Sequence, residues 1–251
     1  MRAFATRFAF LFCFATLAAA PAAAQQFNSD SYLSKPHGMI TLIQTLGERN
    51  LMYMLTYSLF PRWEVTGAAY LFNDDRNAAT DDGYSTSYYV KYMFLENEAK
   101  TGGFAVKLGT GMDPGLMDEE NRLYNSFRTY WTNAPVTVPF FDNALSLDLM
   151  PGASISTDVG TNQTSSAIFT YASRLAWYPK SPTWSIVGEI IGAEGEGTAS
   201  PEYRVGLRLE PNPHAVFALT YDDEFEGTNG AGWEIGMMLF TPPFFGIGGA
   251  K

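Results

Sequence analysis

Polar and apolar residues alternate with period two along most of the chain, which predicts a succession of β-strands with chemically different faces. The runs are Leu51–Leu59, Trp63–Leu71, Tyr84–Phe94, Phe104–Thr110, Leu123–Trp131, Leu145–Ile155, Ala167–Trp177, Trp184–Ile190, Glu202–Leu209, Ala215–Tyr221 and Trp233–Phe240. A further strand, Met39–Leu46, fits ahead of them and has two faces of similar polarity. In the second run Leu51, Tyr53, Leu55, Tyr57 and Leu59 oppose Met52, Met54, Thr56 and Ser58. Sorted in this way, the polar faces hold Glu64, Lys91, Lys107, Arg128, Asp148, Arg174, Glu189, Glu202, Arg204, Arg208 and Glu234, whereas the apolar faces carry no charge.

Alternation alone fits a soluble sandwich as well as a membrane barrel, because both have one apolar and one polar face. The tryptophans separate the two. Trp63, Trp131, Trp177 and Trp184 fall at strand ends beside short turns, and Trp233 falls beside a long loop, as expected of aromatic girdles at membrane interfaces. A soluble core would hold large aromatics in mid-strand. The pattern therefore predicts an all-β fold: a single antiparallel up-and-down transmembrane β-barrel of about 12 strands, apolar outside and charged inside.

The connections support this reading. Short ones, Phe60-Pro61-Arg62, Glu96 to Gly102, Pro179 to Thr183 and Glu210 to His214, with a longer proline-rich one from Asn133 to Ala144, alternate with loops. The loops are Asn73 to Gly83, Met112 to Arg122, Ser156 to Ser166, Ile191 to Pro201 and Asp222 to Gly232. Short periplasmic turns and long surface loops are the asymmetry of outer-membrane barrels, and an even strand number returns both termini to the periplasm. At the N-terminus, Arg2 and Arg7, an apolar stretch from Phe8 to Ala20 and then Ala22-Ala23-Ala24 have the layout of a cleaved secretory signal. The expected organisation is a signal peptide over 1–24, a periplasmic segment over 25–36, the barrel over 37–240 and a tail over 241–251. The one cysteine, Cys13, lies within the signal, so neither a disulfide nor a thiolate site is expected in the rest.

Net charge is -10, and loss of Arg2 and Arg7 makes it -12. The excess belongs to the predicted loops, at Asp74, Asp75, Asp81, Asp82, Asp113, Asp118, Glu119, Glu120, Asp158, Glu194, Glu196, Asp222, Asp223, Glu224 and Glu226. Such a rim either keeps itself hydrated or gathers divalent cations, bridging them to lipopolysaccharide phosphates. Inside, small residues such as Ser85, Ser87, Ala105, Gly109 and Gly206 leave space beside the charges. These charges either pair into a network that stiffens and plugs the lumen, or line a passage, with Arg174, Arg204 and Arg208 suited to anionic or sugar-acid solutes.

Enzymatic chemistry is not expected. Both histidines are misplaced for an outer-leaflet site: His37 precedes the first strand and His214 sits in a short turn. Solvated loop carboxylates such as Asp81 and Asp82 have no reason for divergent pKa values. No catalytic residue, metal ligand, cofactor or nucleic-acid partner is expected. The expected partners are outer-membrane lipids and lipopolysaccharide, the barrel-assembly machinery during biogenesis, and polysaccharide or small solutes.

Pro36-His37-Gly38 and Pro61-Arg62-Trp63-Glu64-Val65 resemble the opening of YjbH-type outer-membrane barrels, which are associated with exopolysaccharide secretion, and Gly103-Phe104-Ala105-Val106-Lys107-Leu108-Gly109 and Asp113-Pro114-Gly115 are similar to the later part of the same pattern. The resemblance covers roughly residues 36 to 115 and implies a porin-like barrel acting as an accessory to polysaccharide export. It supplies no catalytic residues. Two functions stay open: a channel for solutes or exported polysaccharide, and a structural or adhesive barrel with a plugged lumen and cation-binding loops.

Overall fold

A computed structural model describes residues 31–72, 83–113, 127–157, 165–195, 200–226 and 232–244. The expected signal peptide, part of the tail and most of the acidic loop residues (Asp74, Asp75, Asp81, Asp82, Asp118, Glu119, Glu120, Asp158 and Glu196) lie outside the described residues.

The strands are β1 (Ile40–Gly47), β2 (Asn50–Phe60), β3 (Trp63–Phe72), β4 (Gly83–Glu96), β5 (Gly103–Gly111), β6 (Thr129–Asn133), β7 (Val136–Phe140), β8 (Leu145–Thr157), β9 (Ser165–Trp177), β10 (Trp184–Glu194), β11 (Glu202–Asn212), β12 (Ala215–Glu224) and β13 (Gly232–Phe240). Both β6 and β7 pair with β5 on one side and β8 on the other, so they are halves of one stave. Every pairing in the wall is antiparallel, and β13 pairs with β1 to close a twelve-staved barrel. Closure leaves no edge, so every ladder is satisfied within the wall.

The interruption between β6 and β7 has a local cause. Ala134 lies opposite Pro151 and Pro135 opposite Met150, so two residues that cannot donate to a ladder fall at adjacent positions across the pair. Ala134 N–H still reaches the Pro151 carbonyl at 2.8 Å, and Ala105 N–H reaches that of Pro135 at 2.9 Å. Residues 123–126 of the expected strand Leu123–Trp131 lie outside the described residues, the strand seen there is β6 and runs on to Asn133, and the expected connection from Asn133 to Ala144 contains β7. The actual turn is confined to residues 141–144, with Phe141, Asp142 and Asn143 at positive φ.

A one-residue slip turns every side chain of a strand over. That is what happens at β6, where Trp131 points inward and is only 3% exposed, while Arg128 is exposed in the turn before the strand. Trp131 is thus not an interface aromatic, and Arg128 does not line the lumen. The indole fits inside because Gly109 lies opposite it: a Cβ there would come within 2.3 Å of the ring. By contrast Trp63, Trp177, Trp184 and Trp233 are exposed on the outer face near strand ends.

Between those aromatics the outer face is apolar. Leu55, Leu108, Leu207, Leu219 and Ile235 are exposed within their strands, and Val65, Leu175 and Ile186 one outward position in from the tryptophans, an apolar belt that water would not tolerate and lipid would. The interior is uneven. Ile43, Met54, Tyr70, Tyr89, Met112, Trp131, Val216, Met238 and Phe240 pack together over the β1–β6 side and its neighbours β12 and β13. Met112 reaches this cluster because Gly111, at φ 87°, bends the chain as it leaves β5.

Candidate functional site

On the opposite side of the lumen, the inward positions of five adjacent strands hold charges of alternating sign. Register places Asp148 (β8) beside Arg174 (β9), Arg174 beside Glu189 (β10), Glu189 beside Arg204 (β11) and Arg204 beside Asp222 (β12). Because barrel strands tilt, a line of cross-strand neighbours climbs the wall. Asp148 stands near the short-turn end and Asp222 near the long-loop end, so this staircase runs the height of the barrel.

Its rungs are closely paired. Arg174 donates to Asp148 Oδ2 from Nε at 2.9 Å and from Nη2 at 2.6 Å, and Thr137 donates to the other carboxylate oxygen. Arg204 is the hub: it holds Asp222 through Nε at 2.8 Å and through Nη2, Glu234 at 3.1 Å and Glu189 at 3.9 Å. Glu234 also accepts from Asn50 Nδ2 at 2.9 Å and from Thr220 Oγ1 at 3.4 Å. All of these charged side chains are buried from bulk water, so their partners offset a desolvation cost of several kcal/mol per ion.

The remaining candidates fall into two groups. Glu64 and Lys91 are cross-strand neighbours on the β3–β4 wall, with Lys107 next in line on β5. Lys107 Nζ sits 4.6 Å from the Tyr89 ring centroid and 5.6 Å from that of Trp131, within cation–π range. Arg208 lies below Arg204 and meets Glu210 at 3.0 Å, whereas Glu202 is half-buried at the loop end.

A cavity of about 740 Å³ opens at the turn end beneath the staircase, lined among others by Arg174, Arg208, Lys180, Asp148, Glu210 and Tyr178. Tyr178 donates to Glu210 at 3.0 Å, and burial pushes its phenol pKa up. The other side of this mouth is occupied by the chain ahead of β1. Residues 31–35 run along the inner wall, where Tyr32 N–H donates to Thr137 Oγ1 at 3.2 Å and the Tyr32 ring packs on Met93 and Ala105. The Tyr32 pKa is pushed up to about 12, first by burial and then by the charge of Glu96. After β13, residues 241–244 follow the start of β1, with Thr241 N–H bonded to Ile40 O and Phe244 N–H to Gly38 O.

Several site residues escaped the sequence reading. Asp222, assigned there to an acidic surface loop, is inside the barrel; it shares parity with Ala218 and Thr220, so extending the expected strand Ala215–Tyr221 by one residue reveals it. Asp113, also placed in a loop, is buried and accepts from Asn133 Nδ2 at 2.8 Å. His37 and His214 both lie at the turn end, His214 exposed. Among the described residues there is no group of three or more His, Cys, Asp or Glu side chains arranged to hold a metal ion.

No family model matches the chain, and no curated protein matches it. Solved structures do. A KdgM porin superposes with a TM-score of 0.55 at 8% identity, covering 80% of this chain and 98% of that one. The KdgM porin in complex with disordered oligogalacturonate and the NanC porin each give a TM-score of 0.53 at 10% identity, with the same coverage of 80% and 98%. At such identities the likeness is one of fold: this chain shares the closed antiparallel β-barrel of those porins.

Proposed function

We propose that the protein is a narrow solute channel of the bacterial outer membrane. The observation that carries this reading is the staircase from Asp148 to Asp222, which begins at the turn-end cavity and climbs one wall while apolar side chains fill the other. Successive polar partners of both signs can replace part of a solute's hydration without holding it at one site, which conduction requires. Each arginine of the staircase has a carboxylate beside it, so the lining favours small polar solutes with weak charge selectivity over a strongly anion-selective track. Export of an envelope polysaccharide, which the YjbH-type resemblance implies, would use the same path.

One observation favours a second reading. Arg204 and its three carboxylates are shielded from water at the upper end of the staircase, which suits a plugged barrel acting through its acidic loops. Reconstitution separates the two. A channel gives discrete conductance steps in planar bilayers and lets small sugars swell liposomes; the absence of both leaves the plugged barrel.

A further inference from the structure

We infer that residues 31–35 form an internal strap which narrows the turn-end mouth, and that Glu64 and Lys91 latch it in place. The width of the passage then depends on whether the strap is docked.

The strap's bonds trace its course around the wall. Tyr32 N–H is held by Thr137 of β7, the Leu33 carbonyl by Lys91 of β4 at 2.8 Å, and Lys35 N–H by Glu64 Oε1 of β3 at 2.7 Å. Ser34 Oγ donates to the Arg62 carbonyl in the β2–β3 turn at 3.2 Å, and Lys35 Nζ lies 4.6 Å from the Phe240 ring of β13. The strap therefore underlies the side of the barrel from β7 round to β13, beneath the apolar cluster. It also contributes Ser31, Tyr32 and Leu33 to the rim of the cavity on the other side.

The wall is built to receive it. Gly103 leaves the space that Tyr32 fills, since a Cβ there would lie 2.5 Å from the ring, and Ala105 continues the recess. Glu64 and Lys91 stand 3.5 Å apart, yet each makes a shorter bond to the strap backbone than to the other. Both are buried, so the strap's peptide groups complete the solvation of two charges that burial would otherwise penalise. Its anchoring, one buried aromatic and a few hydrogen bonds, lies outside the strand ladders, so the strap can open locally while the barrel wall stays intact.

The inference about width rests on the channel reading, whereas that about docking does not, and the test reads them separately. Ser34→Cys, at a buried position of the strap, is introduced into a chain whose Cys13 is replaced by serine, and maleimide labelling is followed in the folded, reconstituted barrel beside single-channel conductance. Replacing the latch by an apolar pair, Glu64→Leu with Lys91→Met, should speed labelling roughly tenfold or more and raise conductance roughly twofold. Tyr32→Ala, which leaves both charges in place, should move both readings in the same direction. Labelling as slow as in the parent, in both variants with the barrel folded, would overturn the latch. Faster labelling with the parent's conductance unchanged would overturn the narrowing. Faster labelling when neither parent nor variants conduct would sustain the docking and defeat the channel reading alone.

Discussion

Arg204→Met should be among the most destabilising substitutions in the barrel. It removes the cation that Asp222, Glu234 and Glu189 share, at 2.8, 3.1 and 3.9 Å, and leaves three carboxylates in a shielded interior. Glu234 keeps Asn50 and Thr220, and Glu189 keeps the neighbouring Arg174, so Asp222 bears most of the loss. Removing one partner of a buried pair costs about 3–5 kcal/mol. Charge-assisted hydrogen bonds contribute about 1.5–3 kcal/mol each, consistent with that range. The cost arises from stranded charge more than from lost attraction, so the double variant Arg204→Met/Asp222→Leu should regain most of the stability. Urea titration of the barrel folded into short-chain lipid vesicles measures both, with the folded fraction read from gel mobility without boiling. A single variant within about 1 kcal/mol of the parent, or a double variant no better than the single, would refute the hub role of Arg204.

Two further substitutions, with a turn substitution as control, test the faces of the wall. Gly109→Leu drives a side chain into the Trp131 ring, which already lies within 2.3 Å of where a Cβ would stand, and should cost about 1–3 kcal/mol in the same titration. Leu207→Arg places a charge at mid-height on the exposed apolar face and should cost about 2–4 kcal/mol, whereas Lys180→Ala in a turn should leave the midpoint unchanged.

The barrel was legible because charge and period two agree on nearly every strand: Glu64, Lys91, Asp148, Arg174, Glu189, Arg204 and Glu234 are all buried on inward faces. The reading failed where that agreement rested on one residue. Arg128 set the parity of the sixth strand, and because it precedes the strand, Trp131 was turned outward with it. Only the long-range fit of Trp131 against Gly109 fixes the true register. Asp222 was lost because a strand that ends in consecutive acids looks like the start of a loop. The strap is invisible to periodicity: its partners Glu64, Lys91 and Thr137 are distant in sequence, and its contacts run largely through backbone atoms.

The claim beneath all of this is that the apolar face meets lipid. Quenching by brominated acyl chains tests it directly, using variants that each retain one of the five tryptophans. Trp63, Trp177, Trp184 and Trp233 should be quenched in brominated vesicles while Trp131 stays bright. Strong quenching of Trp131 together with protection of the other four would place lipid on the wrong face and contradict the account.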